Sequence, residues 1–136
     1  MSEYALHMKK VWEDDDFFEV NLSLASPHCE VNLDLYLDDE SLSNWKDQLG
    51  AFTAAHEAFR WTAGLRTDEV MLTFFLKEKR GIVGVKVEVD NQLEPPSLVQ
   101  STFFIVTEMN QLDDLSVKLE AFVQGKIDRF EALIQV

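Results

Sequence analysis

Cysteine is almost missing from this chain of 136 residues: Cys29 stands alone. One thiol excludes an internal disulfide framework and a cysteine-built zinc site. Glycine is sparse as well, with five scattered copies. No G-x-x-x-x-G-K-[ST], G-x-G-x-x-G or G-x-S-x-G pattern occurs, so the sequence offers no phosphate cradle and no nucleophile elbow. The three histidines, His7, His28 and His56, stand at no metal-ligand spacing and read as surface residues. Basic charge is the other shortage, with 12 Lys and Arg against 25 Asp and Glu and a net charge of −13. Neutralising phosphates takes clustered cations, so binding to nucleic acid is disfavoured. No apolar run approaches the roughly 18 residues of a membrane span. The first residues lack the basic start and apolar stretch of a signal peptide. The expectation is a cytoplasmic protein that neither crosses a membrane nor binds nucleic acid.

What the chain has in quantity is apolar and aromatic side chains: 46% hydrophobic, with ten Phe and three Trp. That is enough to bury a core without disulfides or metals, and residues 1–136 read as one domain. The clearest pattern lies at residues 70–89. Two runs rich in β-branched and aromatic residues flank Lys77, Glu78, Lys79, Arg80 and Gly81, which predicts a β-hairpin. The second run places Val83, Val85, Val87 and Val89 on one face. The first is apolar on both, at Met71, Leu72, Phe74 and Phe75, which predicts a central strand covered on both sides. Residues 4–12 suggest a first strand, despite poor alternation. Phe18, Val20, Leu22 and Leu24 alternate with polar residues, and residues 30–37 do the same, which predicts a hairpin whose polar face carries Glu19, Asn21, Asn32 and Asp34.

Asp38, Asp39, Glu40 and Ser41 open a helix, where acids meet free N–H groups and oppose the helix dipole. Leu42, Trp45, Leu49 and Phe52 form its apolar stripe, which should fray near Ala54 and Ala55. Residues 59–65 read as a strand, with a turn at Arg66, Thr67 and Asp68, and residues 98–107 hold another. Asn110 is placed to cap a second helix, with Asp113 three residues on. Leu112, Leu115, Leu119 and Phe122 make its stripe, and Gly125 fits the position just past its end. Residues 126–136 keep Ile127, Phe130 and Ile134 near helical spacing and suggest a further helix over a closing strand. The order predicts an α+β fold, mainly an antiparallel β-sheet or sandwich flanked by two helices.

Chemistry is harder to find than fold. Cys29 follows His28, but neighbours on a strand face opposite ways, so a lone core thiol is expected. Asp14, Asp15 and Asp16, like Asp38, Asp39 and Glu40, lack the glycine-containing spacing of a calcium loop. No cofactor, metal or catalytic residue is therefore assigned. Trp12 and Trp61 fit the apolar stripes less well than the other aromatics, and Arg60 beside Trp61 suits a pocket or an interface. Charge is distributed unevenly. Residues 1–50 carry 12 acids against 3 bases, a balance of −9, whereas residues 51–100 balance at −1 and 101–136 at −3.

Residues 32–37 (Asn, Leu, Asp, Leu, Tyr, Leu), a helix bearing Trp45 and Leu49, then Phe59, Arg60 and Trp61 and the 70–89 hairpin follow one another in an order that resembles small bacterial immunity proteins of polymorphic toxin systems, of the wall-associated-protein immunity type. The likeness spans roughly residues 17–122 and rests on element order and aromatic placement. It implies a non-enzymatic inhibitor that binds a toxin's catalytic domain; no residue role is carried over from it. The acidic N-terminal half suits a basic protein partner of that kind, with Asp14, Asp15, Asp16, Asp34, Asp38, Asp39 and Glu40 as the candidate binding residues. Two other readings stand beside it. One is a small-ligand or enzymatic domain, with a cleft between sheet and helix near Arg60, Arg66 or His56. The other is an adaptor that assembles with copies of itself.

Overall fold

Alternating apolar residues can bury one side of a strand only if the register holds over its whole length, because a one-residue slip turns every side chain to the wrong face. This chain obeys that constraint in two sheets. The structure, a computed structural model, describes residues 4–64 and 69–135. It begins with β1 (Tyr4–Glu13), β2 (Phe18–Ser26) and β3 (Cys29–Leu37), followed by α1 (Asp39–Ala55). Then come β4 (Phe59–Ala63), β5 (Val70–Glu78), β6 (Ile82–Asp90) and β7 (Gln100–Glu108), α2 (Met109–Val123) and β8 (Arg129–Gln135). The sheets are β3-β2-β1-β8 and β4-β5-β6-β7, and every neighbouring pair is antiparallel. The protein has an α+β fold of two four-stranded antiparallel sheets and two helices.

Both sheets turn their apolar faces to one hydrophobic cluster that draws buried residues from all ten elements. The α1 stripe of Leu42, Trp45, Leu49 and Phe52 and the α2 stripe of Leu112, Leu115, Leu119 and Phe122 are buried as their spacing predicts. Phe52 packs edge-on to Phe59, which stacks on Phe74, tying α1 to the second sheet. Phe122 meets Phe18 and Phe130 edge-on, tying α2 to the first. The helices also pack on each other, and Lys46 reaches Glu120 across them at 2.6 Å.

Three local expectations are corrected. The tail is not a helix: α2 closes at Gly125 (φ 75°), where the Gly125 and Lys126 N–H groups donate to the Phe122 and Ala121 carbonyls. That pair of hydrogen bonds is the Schellman closure. The chain then runs beside β1 with Met8 opposite Phe130 and Leu6 opposite Ala132. Leu133 takes φ 57° beside a break in register, so Ala132 and Leu133 are both buried. Such a bulge erases the two-residue period by which a strand is recognised in sequence. Asn110 is not the cap of α2. Glu108 holds that position without a side-chain bond, and the first helical N–H, that of Met109, donates to the Gly81 carbonyl of the β5–β6 turn at 2.9 Å. Finally, β5 is an inner strand of its sheet but is covered fully on one face only. Met71 and Phe75 are half-buried on the other, where Phe104 is 50% exposed. The turn expected at Arg66, Thr67 and Asp68 lies outside the described residues.

Candidate functional site

The β1–β2 loop is made of acids, and one of them holds it in shape. The Asp14 N–H donates to the Phe17 carbonyl at 3.0 Å, while Asp14 Oδ1 accepts from the N–H groups of Asp16 and Phe17 at 2.8 and 3.0 Å. Short polar side chains that bond the backbone ahead of them fix turns in this way. Asp38 does the equivalent at the other acidic segment. It caps α1, with Oδ1 accepting from the Ser41 N–H at 2.8 Å, and Asp39 and Glu40 fill the first turn.

Register brings the two segments together. Phe18 lies opposite Leu37, so the residues just before β2 adjoin those just after β3. Glu13, Asp14, Asp15, Asp16, Asp38, Asp39 and Glu40 thus line a single shallow hollow of about 280 Å³ with Phe17 and Phe18. Among these carboxylates Asp14 and Asp38 are committed to backbone groups, and Glu13 pairs with Lys10 at 3.0 Å. Asp15, Asp16, Asp39 and Glu40 accept no side-chain bond or ion pair among the described residues. Six of the seven residues expected from charge therefore converge. The seventh, Asp34, sits outside the hollow on the outer face of β3, two residues before Tyr36, and accepts from Asn21 Nδ2 at 3.0 Å.

Beside the acids stand aromatics that sequence periodicity assigns no role. Between Lys10 and Trp12 the β1–β2 register shifts, a bulge that exposes Val11 and Trp12 and leaves Lys10 facing inward. The Lys10 ammonium lies 5.1 Å from the ring centres of both Phe18 and Phe122, a cation–π arrangement that buries the charge where Glu13 also meets it. After the bulge Trp12 stands opposite Glu19, and Glu19 opposite Tyr36, so the three form one cross-strand row. Trp12 is 49% exposed and Tyr36 50%. Phe17 joins them, its ring 5.8 Å from Trp12 and 5.5 Å from Tyr36. Glu19 makes no bond or ion pair among the described residues. The signal for this row was present in sequence as the poor alternation after Met8, but only the bulge gives it meaning.

Two of the other concavities among the described residues bear on the remaining readings. A cleft of about 400 Å³ between α1 and β4 is lined by Ser41, Asn44, Asp47, Gln48, Arg60, Trp61 and Thr62. It includes Arg60 but not His56, which ends α1 in a left-handed conformation, and Arg66 lies outside the described residues. Trp61 itself is a core residue, stacked on Trp45. The second is an open trough of about 710 Å³ on the outer face of the first sheet. There His7 meets Glu131 at 3.0 Å, and Lys9, Arg129 and Glu30 add mixed charge. Cys29 is half-buried, its sulfur 3.3 Å from the Ser101 hydroxyl. Among the described residues no three His, Cys, Asp or Glu side chains are grouped to hold a metal ion. No helix among them is long and apolar enough to cross a membrane. The carboxyls held below their ordinary range lie elsewhere, at Glu120 beside Lys46 and at Asp128 beside Arg129. No protein-family model and no curated protein matches the chain.

Proposed function

We propose that this chain is a non-enzymatic protein-binding domain of the immunity type, which neutralises a basic toxin domain by covering it with the acidic end of its first sheet. The observation that carries this reading is the convergence of two acidic segments, remote in sequence, around one hollow. Lys10, which pairs with Glu13 at the edge of the hollow, is already engaged by that carboxylate and two rings. Four of the carboxylates have no side-chain partner among the described residues and can meet an external one. A surface of one sign raises the rate of encounter with an oppositely charged protein, and salt weakens the effect. The partner belongs in the cytoplasm, where a toxin domain would need to be silenced.

The test compares the native chain with a variant carrying Asp15→Asn, Asp16→Asn, Asp39→Asn and Glu40→Gln, each immobilised and exposed to lysate of the source cell at low salt. The expected outcome is one basic protein retained by the native chain, released by a moderate salt gradient and lost from the variant. Expressing that protein's catalytic domain should then be toxic unless the native chain is co-expressed. Retention of the same protein by both chains, with the same salt dependence, would defeat the proposal.

A further inference from the structure

Carboxylates alone do not explain why two aromatic rings, Trp12 and Tyr36, stand half exposed beside them. Phe17 bridges Trp12 and Tyr36, and Glu19 lies between those two in register. Facing strands set their side chains about 5 Å apart, so a flat cation laid on either ring also reaches the Glu19 carboxylate. We infer that the Trp12–Glu19–Tyr36 row is an arginine-recognition surface, on which an arginine-bearing segment of a basic partner protein docks with its guanidinium planes against the rings. This rests on the proposed reading of the acidic hollow and adds to it the side-chain chemistry that the partner must present.

The choice of arginine follows from how the two basic side chains behave. A guanidinium is planar, weakly hydrated and able to stack on a ring while its N–H groups bond a carboxylate in the ring's plane of approach. A lysine ammonium is a compact, strongly hydrated point charge that gains from the carboxylates but far less from the rings. Charge complementarity selects the occupant. Asp14, Asp15, Asp16, Asp38, Asp39 and Glu40 border the row on one side, and Asp34 lies on the other side beside Tyr36. A second copy, itself at −13, would bring like charges against this border, and so would the phosphates of a nucleic acid. Large exposed aromatics ringed by polar groups are also where binding energy concentrates in protein interfaces.

The experiment titrates labelled octa-arginine and octa-lysine, equal in formal charge, into the full chain by fluorescence anisotropy, at low salt and near physiological salt. The native chain should bind octa-arginine at least about fivefold more tightly, the gain expected of two exposed cation–π contacts, and the gap should persist as salt rises. Trp12→Leu with Tyr36→Leu should bring the two peptides to within about twofold, a ratio estimated from losing those same contacts. Both positions are half exposed, and far-ultraviolet circular dichroism confirms that the variant is folded. The variant with Asp15, Asp16, Asp39 and Glu40 neutralised should weaken both peptides together and keep their ratio. Equal binding of the two peptides, or a ratio untouched by loss of the rings, overturns the arginine inference while leaving the acidic surface standing. Failure of both peptides to bind at low salt overturns both readings. A concentration-dependent dimer of the native chain that the Trp12→Leu, Tyr36→Leu variant abolishes would instead give this surface to a second copy and overturn the inference.

Discussion

The indole of Trp45 lies flat on that of Trp61, ring centres 4.0 Å apart and planes 9° from parallel. Trp45 belongs to α1 and Trp61 to β4, so the stack joins the first helix to the second sheet. Trp61 Nε1 also donates to the Ser41 carbonyl at 3.1 Å, in the first turn of α1. The pair therefore fixes the helix end that carries Asp38, Asp39 and Glu40, linking core packing to the acidic hollow. Trp61→Phe should remove the bond and part of the stack. A lost hydrogen bond and a lost aromatic pair each contribute about 1 kcal/mol, so a loss of about 1–3 kcal/mol is expected in urea unfolding. Trp45→Ala, at a fully buried site, should cost about 3–5 kcal/mol. A Trp61→Phe protein as stable as the native one would show that the stack does not hold the helix.

Asp38 has two roles that one pair of substitutions separates. As an N-cap its oxygen accepts from Ser41, and Asn does this about as well as Asp. As part of the hollow its contribution is charge, which Asn lacks. Asp38→Asn should keep the unfolding free energy within about 0.5 kcal/mol of the native value while slowing association with a basic partner. Asp38→Ala should slow association equally and also lose about 0.5–2 kcal/mol of stability. Stopped-flow association and urea unfolding on the two variants measure both roles.

Most of the fold was legible because most of the chain obeys the local rules. Strands β2 and β3 alternate without a break, and both helices keep their apolar stripes. The failures occur where tertiary structure replaces a local signal. The bulge at Leu133 hid β8, and the Gly81 carbonyl made a side-chain cap at Asn110 unnecessary. For the site, charge counting found the acids, since a run of carboxylates is visible in any sequence. It did not find the Trp12–Glu19–Tyr36 row. That row exists only because the bulge turns Trp12 outward, which the poor alternation of β1 signals without locating, and because pairing sets three strands in register, which no local pattern encodes.

Acid should weaken the contact between the helices. The Glu120 carboxyl is held below its usual value of 4.5 first by the hydrogen bond from Lys46 and then by that ammonium's charge. A carboxyl whose folded value is depressed contributes stability that is fully present above its unfolded value. That contribution fades as pH falls through the lowered folded value. The expected result is that Glu120→Gln loses a small increment at pH 7 that shrinks as pH falls below 4.5, so the two proteins' urea midpoints converge on acidification. The pair is half exposed, so the increment should also shrink in high salt. A gap that stays constant with pH would assign the effect to packing and not to charge.

Gly84 and Phe75 offer a sharper test of packing on the open face of the second sheet. They face each other across β5 and β6, and a Cβ built on Gly84 would lie 2.3 Å from the Phe75 ring. The ring occupies the space that the missing side chain leaves, and it meets Phe104 edge-on at 6.2 Å. Gly84→Ala must push the ring toward solvent, at a cost of about 1–3 kcal/mol for an overpacked site. Phe75→Ala removes the ring and its cover. With the ring gone, the added methyl has room, and alanine is favoured over glycine within a strand by about 0.5–1 kcal/mol because it gives up less backbone freedom on folding. Gly84→Ala should therefore turn from destabilising to neutral or stabilising in the Phe75→Ala background. The coupling energy from the four urea curves should exceed about 1 kcal/mol, within the range of residues in direct contact. Additive effects, within about 0.5 kcal/mol, would mean that the ring does not depend on the glycine beneath it.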